Sequence, residues 1–156
     1  MRIALLAVGT RMPGWVDQAF ETYRKRLPPQ CGLQLTAVPA GHRRQRSDPA
    51  VAKAQECERL LKHARSADRL VALDERGSEW NTRELAARLQ GWQQECSEIA
   101  LLVGGPDGLD GDCLSRSDER WSLSRLTLPH ALVRVLVAEQ LYRAWTLLQG
   151  HPYHRE

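Results

Sequence analysis

Runs of apolar residues recur along the chain at intervals that predict the strands of a sheet. The first run is almost continuously apolar, which is typical of a parallel strand that helices cover on both faces. The next run alternates apolar and polar positions, as strands also do. Together the runs predict five strands, at residues 2–10, 33–38, 69–73, 99–103 and 122–128.

Longer segments between these runs carry apolar residues three and four positions apart, which is the spacing of one helix face. Pro13 suits the first turn of one helix, and Asp48 or the serine before it can cap the next. Asn81 or the threonine after it can cap a third. The polar stretch beyond residue 109 predicts a short helix, and residues 129–149 predict a long one that ends at Gly150.

Strands that alternate with helices predict an α/β fold, with a mostly parallel sheet and helices on both of its faces. The 156 residues fit a single domain, 1–156, with a sizeable core. Ligands of such sheets bind beyond the carboxyl ends of the strands. The segments DERG, GGPDG and SLSRLTLPH all fall at such ends.

Composition and charge narrow the class of protein further. The first apolar run is too short for a secretion signal or a membrane span, so we expect a soluble, cytoplasmic protein with no membrane partner. Four scattered cysteines match neither a zinc ribbon nor a redox motif. A net charge of +3 is mild, but basic residues cluster at 43–46. This cluster fits either a solvated surface or a contact with phosphate groups.

The stretch LLVGGPDGL ends an apolar run with closely spaced glycines. It lacks the lysine and hydroxyl of a phosphate-binding P-loop, the spacing of a dinucleotide fingerprint and the acidic spacing of a calcium loop. Gly104 and Gly105 fit a tight turn with Pro106. They also fit a flat ligand that approaches the backbone closely and meets its N–H and C=O groups. The pattern leaves both interpretations open.

Six segments of the chain closely resemble the RlmH family of SPOUT-class methyltransferases, in the same order from end to end. They are AVGTRMPGW, PAGHR, LDERG, LLVGGPDGL, WSLSRLTLPHALVRVLVAEQLYRAW and HPYHRE. The resemblance implies a sheet with a deep C-terminal trefoil knot, which periodicity cannot reveal. It also implies S-adenosyl-L-methionine bound among three knot loops. The residues that correspond to these loops are Leu73, Gly104, Gly105, Leu123, Ser124, Arg125, Leu126, Thr127 and Leu128.

The same resemblance implies methylation of N3 of pseudouridine 1915, in helix 69 of 23S ribosomal RNA, on assembled 70S ribosomes. No metal is expected, because the sulfonium of the donor already makes its methyl group electrophilic. A transfer RNA methyltransferase and a non-catalytic ribosome-associated RNA-binding module are the alternatives. Asp107 stands where relatives often carry glutamate, which leaves the role of this side chain open.

Candidate catalytic residues lie near the strand ends, on the last helix and in the tail HPYHRE. His130, Glu139, His151 and His154 are open candidates for a general base. The Glu139–Arg143 pair also fits an ordinary ion pair within a helix. The full set of expected catalytic or RNA-contacting residues is His130, Arg134, Glu139, Arg143, Tyr153 and His154. The family and the broad apolar surface of the last helix together favour a homodimer.

Overall fold

A computed structural model describes residues 1–44 and 48–154, except for the side chain of His154. Five strands alternate with five α-helices. Two short 3₁₀ turns, Pro29–Cys31 and Pro152–His154, complete the described elements. In chain order the elements are β1 (Arg2–Val8), α1 (Gly14–Arg24), β2 (Gly32–Val38), α2 (Pro49–His63), β3 (Arg69–Glu79), α3 (Thr82–Glu95), β4 (Glu98–Val103), α4 (Gly111–Arg116), β5 (Glu119–Ser122) and α5 (His130–Gln149).

The strands form one sheet in the order β2-β1-β4-β3-β5, and every pairing is parallel. Alternate residues of the strands therefore face two separate cores. On one face Leu5 and Leu101 join a core with side chains of α1, α3 and α5. On the other face Leu6 and Leu102 pack with side chains of α2 and α4. The predicted α/β fold with helices on both faces is confirmed.

The helix ends follow the signals in the sequence. The Asp48 side chain accepts a hydrogen bond from Ala50 N–H at the start of α2. Asn81 and Glu84 form a reciprocal capping box at the start of α3, which satisfies two backbone donors. Gly150 ends α5 with a φ of 67°, a left-handed conformation that favours glycine.

The fifth predicted strand is misplaced. The strand is Glu119–Ser122, and residues 123–129 form an irregular segment instead. The apolar run in this segment lines a cavity rather than pairing with a neighbour. Ser122 and Ser124 show how the chain leaves the sheet. Ser122 Oγ donates to the Ser124 carbonyl, and Ser124 Oγ accepts from Leu126 N–H, so side chains replace ladder partners.

The third strand is longer than predicted because its pairing resumes after an interruption. Trp121 of β5 pairs with both Leu73 and Ser78 of β3, so the residues between them bulge out of the ladder. At Gly77 an added Cβ would lie 2.7 Å from the carbonyl carbon of Arg120. Glycine thus allows the two strands to approach again. The bulge turns residues 74–76 toward the cavity at this end of the sheet.

Within the described ranges, none of the helices is long and apolar enough to cross a membrane.

Candidate functional site

A cavity of about 550 Å³ opens at the carboxyl ends of β3, β4 and β5. Three chain segments meet there: the bulge at 73–76, the stretch 103–114 and the stretch 121–133, which runs into α5. Lys53 of α2 completes the lining. This volume is typical of a small-molecule site. The cavity brings together the three segments that the sequence places at strand ends.

Most residues predicted to hold the cofactor line this cavity. Leu73, Gly104 and Gly105 do so, and so does the segment 123–128 with the exception of Arg125. Arg125 is exposed and lies outside the lining. Leu126 lines the cavity while 74% of its surface is exposed, which leaves an apolar side chain available for a ligand or a partner.

The glycines of the second segment build a tight turn. Gly108 N–H donates to the Gly105 carbonyl at 3.0 Å, and Pro106 occupies the second position of the turn. A Cβ at Gly104 would lie 2.5 Å from the carbonyl carbon of Gly108. A Cβ at Gly105 would lie 3.0 Å from Val8 Cγ1. The predicted turn is thus present at Gly105, and a side chain at either glycine would meet atoms of the protein. The close approach of a flat ligand to this backbone stays a prediction.

Two residues of the lining contain buried polar atoms that have no hydrogen-bond partner, Asp74 Oδ2 and Trp121 Nε1. Trp121 is 2% exposed and stacks on Trp80, with ring centroids 5.1 Å apart. Buried polar groups without partners are uncommon, because each forfeits its hydration. In the cavity lining, Asp74 Oδ2 can accept and Trp121 Nε1 can donate a hydrogen bond to a polar ligand.

His130 is the one predicted catalytic residue that lines the cavity in the described part of the chain. It stands at the start of α5, beside β1. Burial, and secondarily the charge of Arg134, lower its pKa below the ordinary value. The imidazole is therefore neutral at neutral pH and is able to accept a proton.

Arg134 lies one turn further along α5 and is 2% exposed. Its guanidinium donates to the carbonyls of Val8 and Gly9, at 3.1 and 2.6 Å, and its Nε has no partner. Burial lowers the pKa of Arg134. The guanidinium is thus bound by the end of β1 within one chain, and the predicted catalytic or RNA-contacting role of Arg134 stays a prediction.

Glu139, Arg143 and Tyr153 form a second cluster, which we call the tail cluster. Glu139 accepts hydrogen bonds from Arg143 Nε at 2.8 Å and from the Tyr153 hydroxyl at 3.2 Å. The Arg143 guanidinium lies over the Tyr153 ring. Burial, and then the charge of Glu139, raise the pKa of Tyr153 to about 12.

The tail cluster is separate from the cavity of its own chain. Glu139 lies nine residues beyond His130 on α5, which corresponds to roughly 13 Å along the helix axis. None of its three side chains belongs to the cavity lining. The side chain of the tail candidate His154 lies outside the described part of the structure. Among the described side chains, a single chain therefore does not bring the predicted catalytic residues together.

The basic loop before α2 is held by ion pairs at Arg43. Its guanidinium contacts the carboxylates of Glu56 and Asp107 at 2.7 and 2.8 Å. These two hydrogen bonds raise the pKa of Arg43 further above its ordinary value. Arg43 is thus engaged within the protein, the phosphate contact of this loop stays a prediction, and the Arg46 position lies outside the described residues.

Lys53, Asp74 and Trp121 are among the cavity residues to which the sequence analysis gives no role. Asp74 belongs to the DERG segment and could have been found from its position at a strand end. Lys53 is brought to the cavity only by the packing of α2. Within residues 1–44 and 48–154, the acidic, histidine and cysteine side chains form no group of three that could hold a metal ion.

Comparison with known proteins identifies the class of this fold and site. The sequence profile of the family described as "Predicted SPOUT methyltransferase" matches residues 1–154. The "Ribosomal RNA large subunit methyltransferase H" of Hahella chejuensis is 53% identical over 156 residues, which is 100% of both chains. The protein of the same name from Alkalilimnicola ehrlichii is 55% identical over 155 residues, 99% of each chain. The chain belongs to the SPOUT methyltransferases and, among them, to the RlmH family.

Solved structures share the fold at low sequence identity. A probable methyltransferase from Bordetella pertussis has a TM-score of 0.60 and 18% identity, over 92% of this chain and 95% of that one. A putative methyltransferase from Legionella pneumophila, solved with its cofactor SAM, has a TM-score of 0.52 and 10% identity. It matches over 93% of this chain and 66% of that one.

Proposed function

We propose that this protein methylates N3 of a pseudouridine in helix 69 of 23S ribosomal RNA on assembled ribosomes, with S-adenosyl-L-methionine as the donor. The cavity between the three strand-end segments, whose lining holds partnerless atoms of Asp74 and Trp121, carries the proposal. Membership of the RlmH family supports it, and relatives that cover the full chain are named as large-subunit ribosomal RNA methyltransferases. An enzyme of ribosomes works in the cytoplasm.

The cavity residues fit this cofactor chemically. The lining combines apolar side chains, such as Leu73 and Leu128, with backbone groups of the 104–108 turn and the 123–128 segment. An adenine ring needs such an apolar slot with hydrogen bonds at its edges. Asp74 and Trp121 add an acceptor and a donor that lack partners in the protein. When bound, S-adenosyl-L-methionine supplies a methyl group made electrophilic by its sulfonium.

The remaining contribution of the protein is alignment and removal of a proton. Holding a nucleophile in line with its target lowers a barrier by about 7 to 11 kcal/mol in well-oriented systems. The N3 of the base must also lose its proton during the reaction. Neutral His130 in the cavity lining is our candidate for the group that accepts it, directly or through water. Arg134 fixes the end of β1 beside that imidazole.

A homodimer is part of the proposal. Leu132 and Leu136 lie one turn apart on α5 and are 36% and 37% exposed, and Trp15 at the start of α1 is 54% exposed. The two helix starts are close together, since a Cβ at Gly9 would lie within 4 Å of both Met12 and His130. A second copy would cover this apolar surface. It would also bring the tail cluster of one subunit to the cavity of the other.

The trefoil knot of the family is proposed for this chain as well. Helix α4 packs on the α2 face of the sheet, whereas α5 packs on the opposite face with α1 and α3. The segment 123–129 joins β5 to α5 and so passes from the α4 side to the α5 side at the cavity end. A threaded chain fits this crossing, although threading is rare in proteins.

Transfer of labelled methyl groups tests the proposed reaction. The substrates are 70S ribosomes, free large-subunit RNA and transfer RNA, each from cells that lack the protein. We expect labelling of ribosomes at the pseudouridine, and none of ribosomes from cells that also lack the pseudouridine. Equal labelling of unmodified uridine would refute the substrate. Labelling of transfer RNA alone would favour a transfer RNA methyltransferase. Binding to ribosomes by a protein that does not bind the cofactor would favour a non-catalytic RNA-binding module.

Mixed dimers test the division of the site between subunits. One subunit carries His130→Ala and the other carries Tyr153→Ala. If the tail of each subunit serves the cavity of its partner, a mixed dimer has one intact site of two and regains methylation. If both residues serve the same chain, the mixed dimer has no intact site. Inactive mixed dimers would therefore contradict the shared site.

A further inference from the structure

A buried carboxylate on α2 anchors the loop that precedes this helix. Glu56 is 2% exposed, and its Oε2 accepts hydrogen bonds from Gly41 N–H at 2.8 Å and from Arg43 at 2.7 Å. Gly41 lies so close to the helix that an added Cβ would be 2.2 Å from the Ala52 carbonyl oxygen. A buried carboxylate requires such partners. The position of Arg43 is thus fixed from the α2 side.

The same guanidinium also contacts the cavity. Arg43 Nε donates to Asp107 Oδ2 at 2.8 Å, and Asp107 is the third residue of the turn from Gly105 to Gly108. The first residue of that turn lies against the same buried carboxylate, since a Cβ at Gly105 would be 3.5 Å from Glu56 Oε1. Arg43 therefore bridges a fixed carboxylate and a carboxylate on the cavity wall.

Packing constrains the tip of this turn only weakly. Pro106, Asp107 and Gly108 are all exposed, and Gly108 has a φ of 80° with no atom within 4 Å of an added Cβ. All three residues nevertheless line the cavity. An exposed ion pair adds little to overall stability. Such an ion pair contributes more to ligand affinity when it holds a binding segment in the position that the ligand requires.

We propose that Arg43 is a positioning residue, which holds the 105–108 turn in its ligand-binding position by joining Asp107 to the buried Glu56. The inference rests on the proposed function, because it takes the cavity to be the S-adenosyl-L-methionine site. Arg43 itself is absent from the cavity lining and acts through Asp107.

Substitution of Asp107 tests the link and leaves the buried Arg43–Glu56 pair intact. Asp107→Asn removes the charge that meets Arg43, whereas Asp107→Glu retains a carboxylate. Asp112→Asn is the matched control, because Asp112 forms an exposed ion pair with Arg116 on α4 outside the lining. Titration calorimetry with S-adenosyl-L-methionine measures affinity, thermal unfolding measures stability, and methyl transfer to ribosomes gives KM and kcat.

We expect Asp107→Asn to weaken cofactor binding roughly three- to tenfold and to raise the KM for the cofactor equally. Its thermal midpoint should match the wild type, because the Arg43–Asp107 ion pair is exposed. Asp107→Glu should restore affinity to within about twofold, and Asp112→Asn should bind like the wild type.

The outcomes separate this inference from the function on which it rests. Binding by the wild type together with unchanged affinity in Asp107→Asn would overturn the positioning role alone. A lowered thermal midpoint with unchanged affinity would show that the link is only structural. Absence of binding by the wild type would overturn the proposed function and the inference with it.

Discussion

The cavity and the tail cluster lie at different positions along α5, and they differ in whether their buried polar groups have hydrogen-bond partners. In the cavity, Asp74 Oδ2 and Trp121 Nε1 are buried without partners. In the tail cluster, Glu139 accepts hydrogen bonds from Arg143, Tyr153 and Gln140. The first region is incomplete within one chain, and the second is complete. The cavity thus offers polar groups that a ligand can still bind, whereas the polar groups of the tail cluster bind one another.

The contrast extends to the backbone. Gly104 leaves no room for a side chain, because the backbone of Gly108 lies close to it. Gly150, beside the tail cluster, has open space around an added Cβ, and its requirement for glycine comes from a φ of 67°. One glycine is required by contact and the other by conformation. Replacing each by alanine separates the two regions experimentally.

Gly104→Ala is expected to have the largest effect. Its Cβ would lie 2.5 Å from the Gly108 carbonyl carbon, so the turn must shift and the cavity with it. A displacement near 1 Å costs on the order of 100-fold in activity when alignment is essential. We expect methyl transfer to ribosomes to fall by about that factor, with a parallel loss of cofactor affinity in calorimetry.

Gly150→Ala should behave differently, because alanine there meets no neighbour but must adopt a left-handed conformation. We expect the free energy of unfolding in urea to fall by about 1 to 2 kcal/mol, with unchanged cofactor affinity. Similar losses of affinity in both variants would show that the cavity depends on general stability. A fully active Gly104→Ala would contradict the assigned cavity.

A smaller and opposite pair of effects is expected from two acidic residues. Asp74→Ala removes a partnerless carboxyl oxygen, so the stability of the protein without cofactor should not decrease, while cofactor affinity falls roughly tenfold. Glu139→Ala leaves Arg143 and Tyr153 without their acceptor. It should lower the free energy of unfolding by about 1 to 2 kcal/mol.

Urea unfolding and calorimetry measure both quantities for each variant. Destabilisation by Asp74→Ala together with normal cofactor binding would contradict the idea that this carboxyl group awaits a ligand. An unchanged stability of Glu139→Ala would show that the tail cluster is not complete within one chain.

Local sequence signals predicted most of the fold. Helix caps at Asp48 and Asn81 depend on neighbouring residues, so the pattern around them is sufficient. The prediction of a strand at 122–128 was wrong because its apolar side chains face a cavity. The spacing of apolar residues cannot distinguish a segment that lines a cavity from a strand in a sheet. The bulge after Leu73 depends on long-range pairing with β5, which no local pattern contains.

The site was predicted less completely for the same reason. The strand-end segments and most of their residues were found, since the carboxyl ends of parallel strands share one edge. Burial of Arg134 against the end of β1 was not foreseeable, because the two partners are far apart in sequence. The sequence alone does not distinguish Arg43 from a solvated basic residue, because the packing of α2 is what places Glu56 beside it.

The smallest expected effect concerns the titration of His130 at the cavity. Its pKa in the folded protein lies below the ordinary value of 6.5, so below that pH the unfolded chain binds a proton at this imidazole before the folded protein does. The stability that the neutral imidazole contributes is therefore present above pH 6.5 and is lost as the pH falls.

His130→Asn removes this contribution, and its free energy of unfolding in urea should fall less between neutral and mildly acidic pH than that of the wild type. His63→Asn, at an exposed position of α2, controls for removal of a histidine. Equal losses in the wild type and His130→Asn would show that the imidazole is not held in its neutral form, and its assignment as proton acceptor would lose its electrostatic basis.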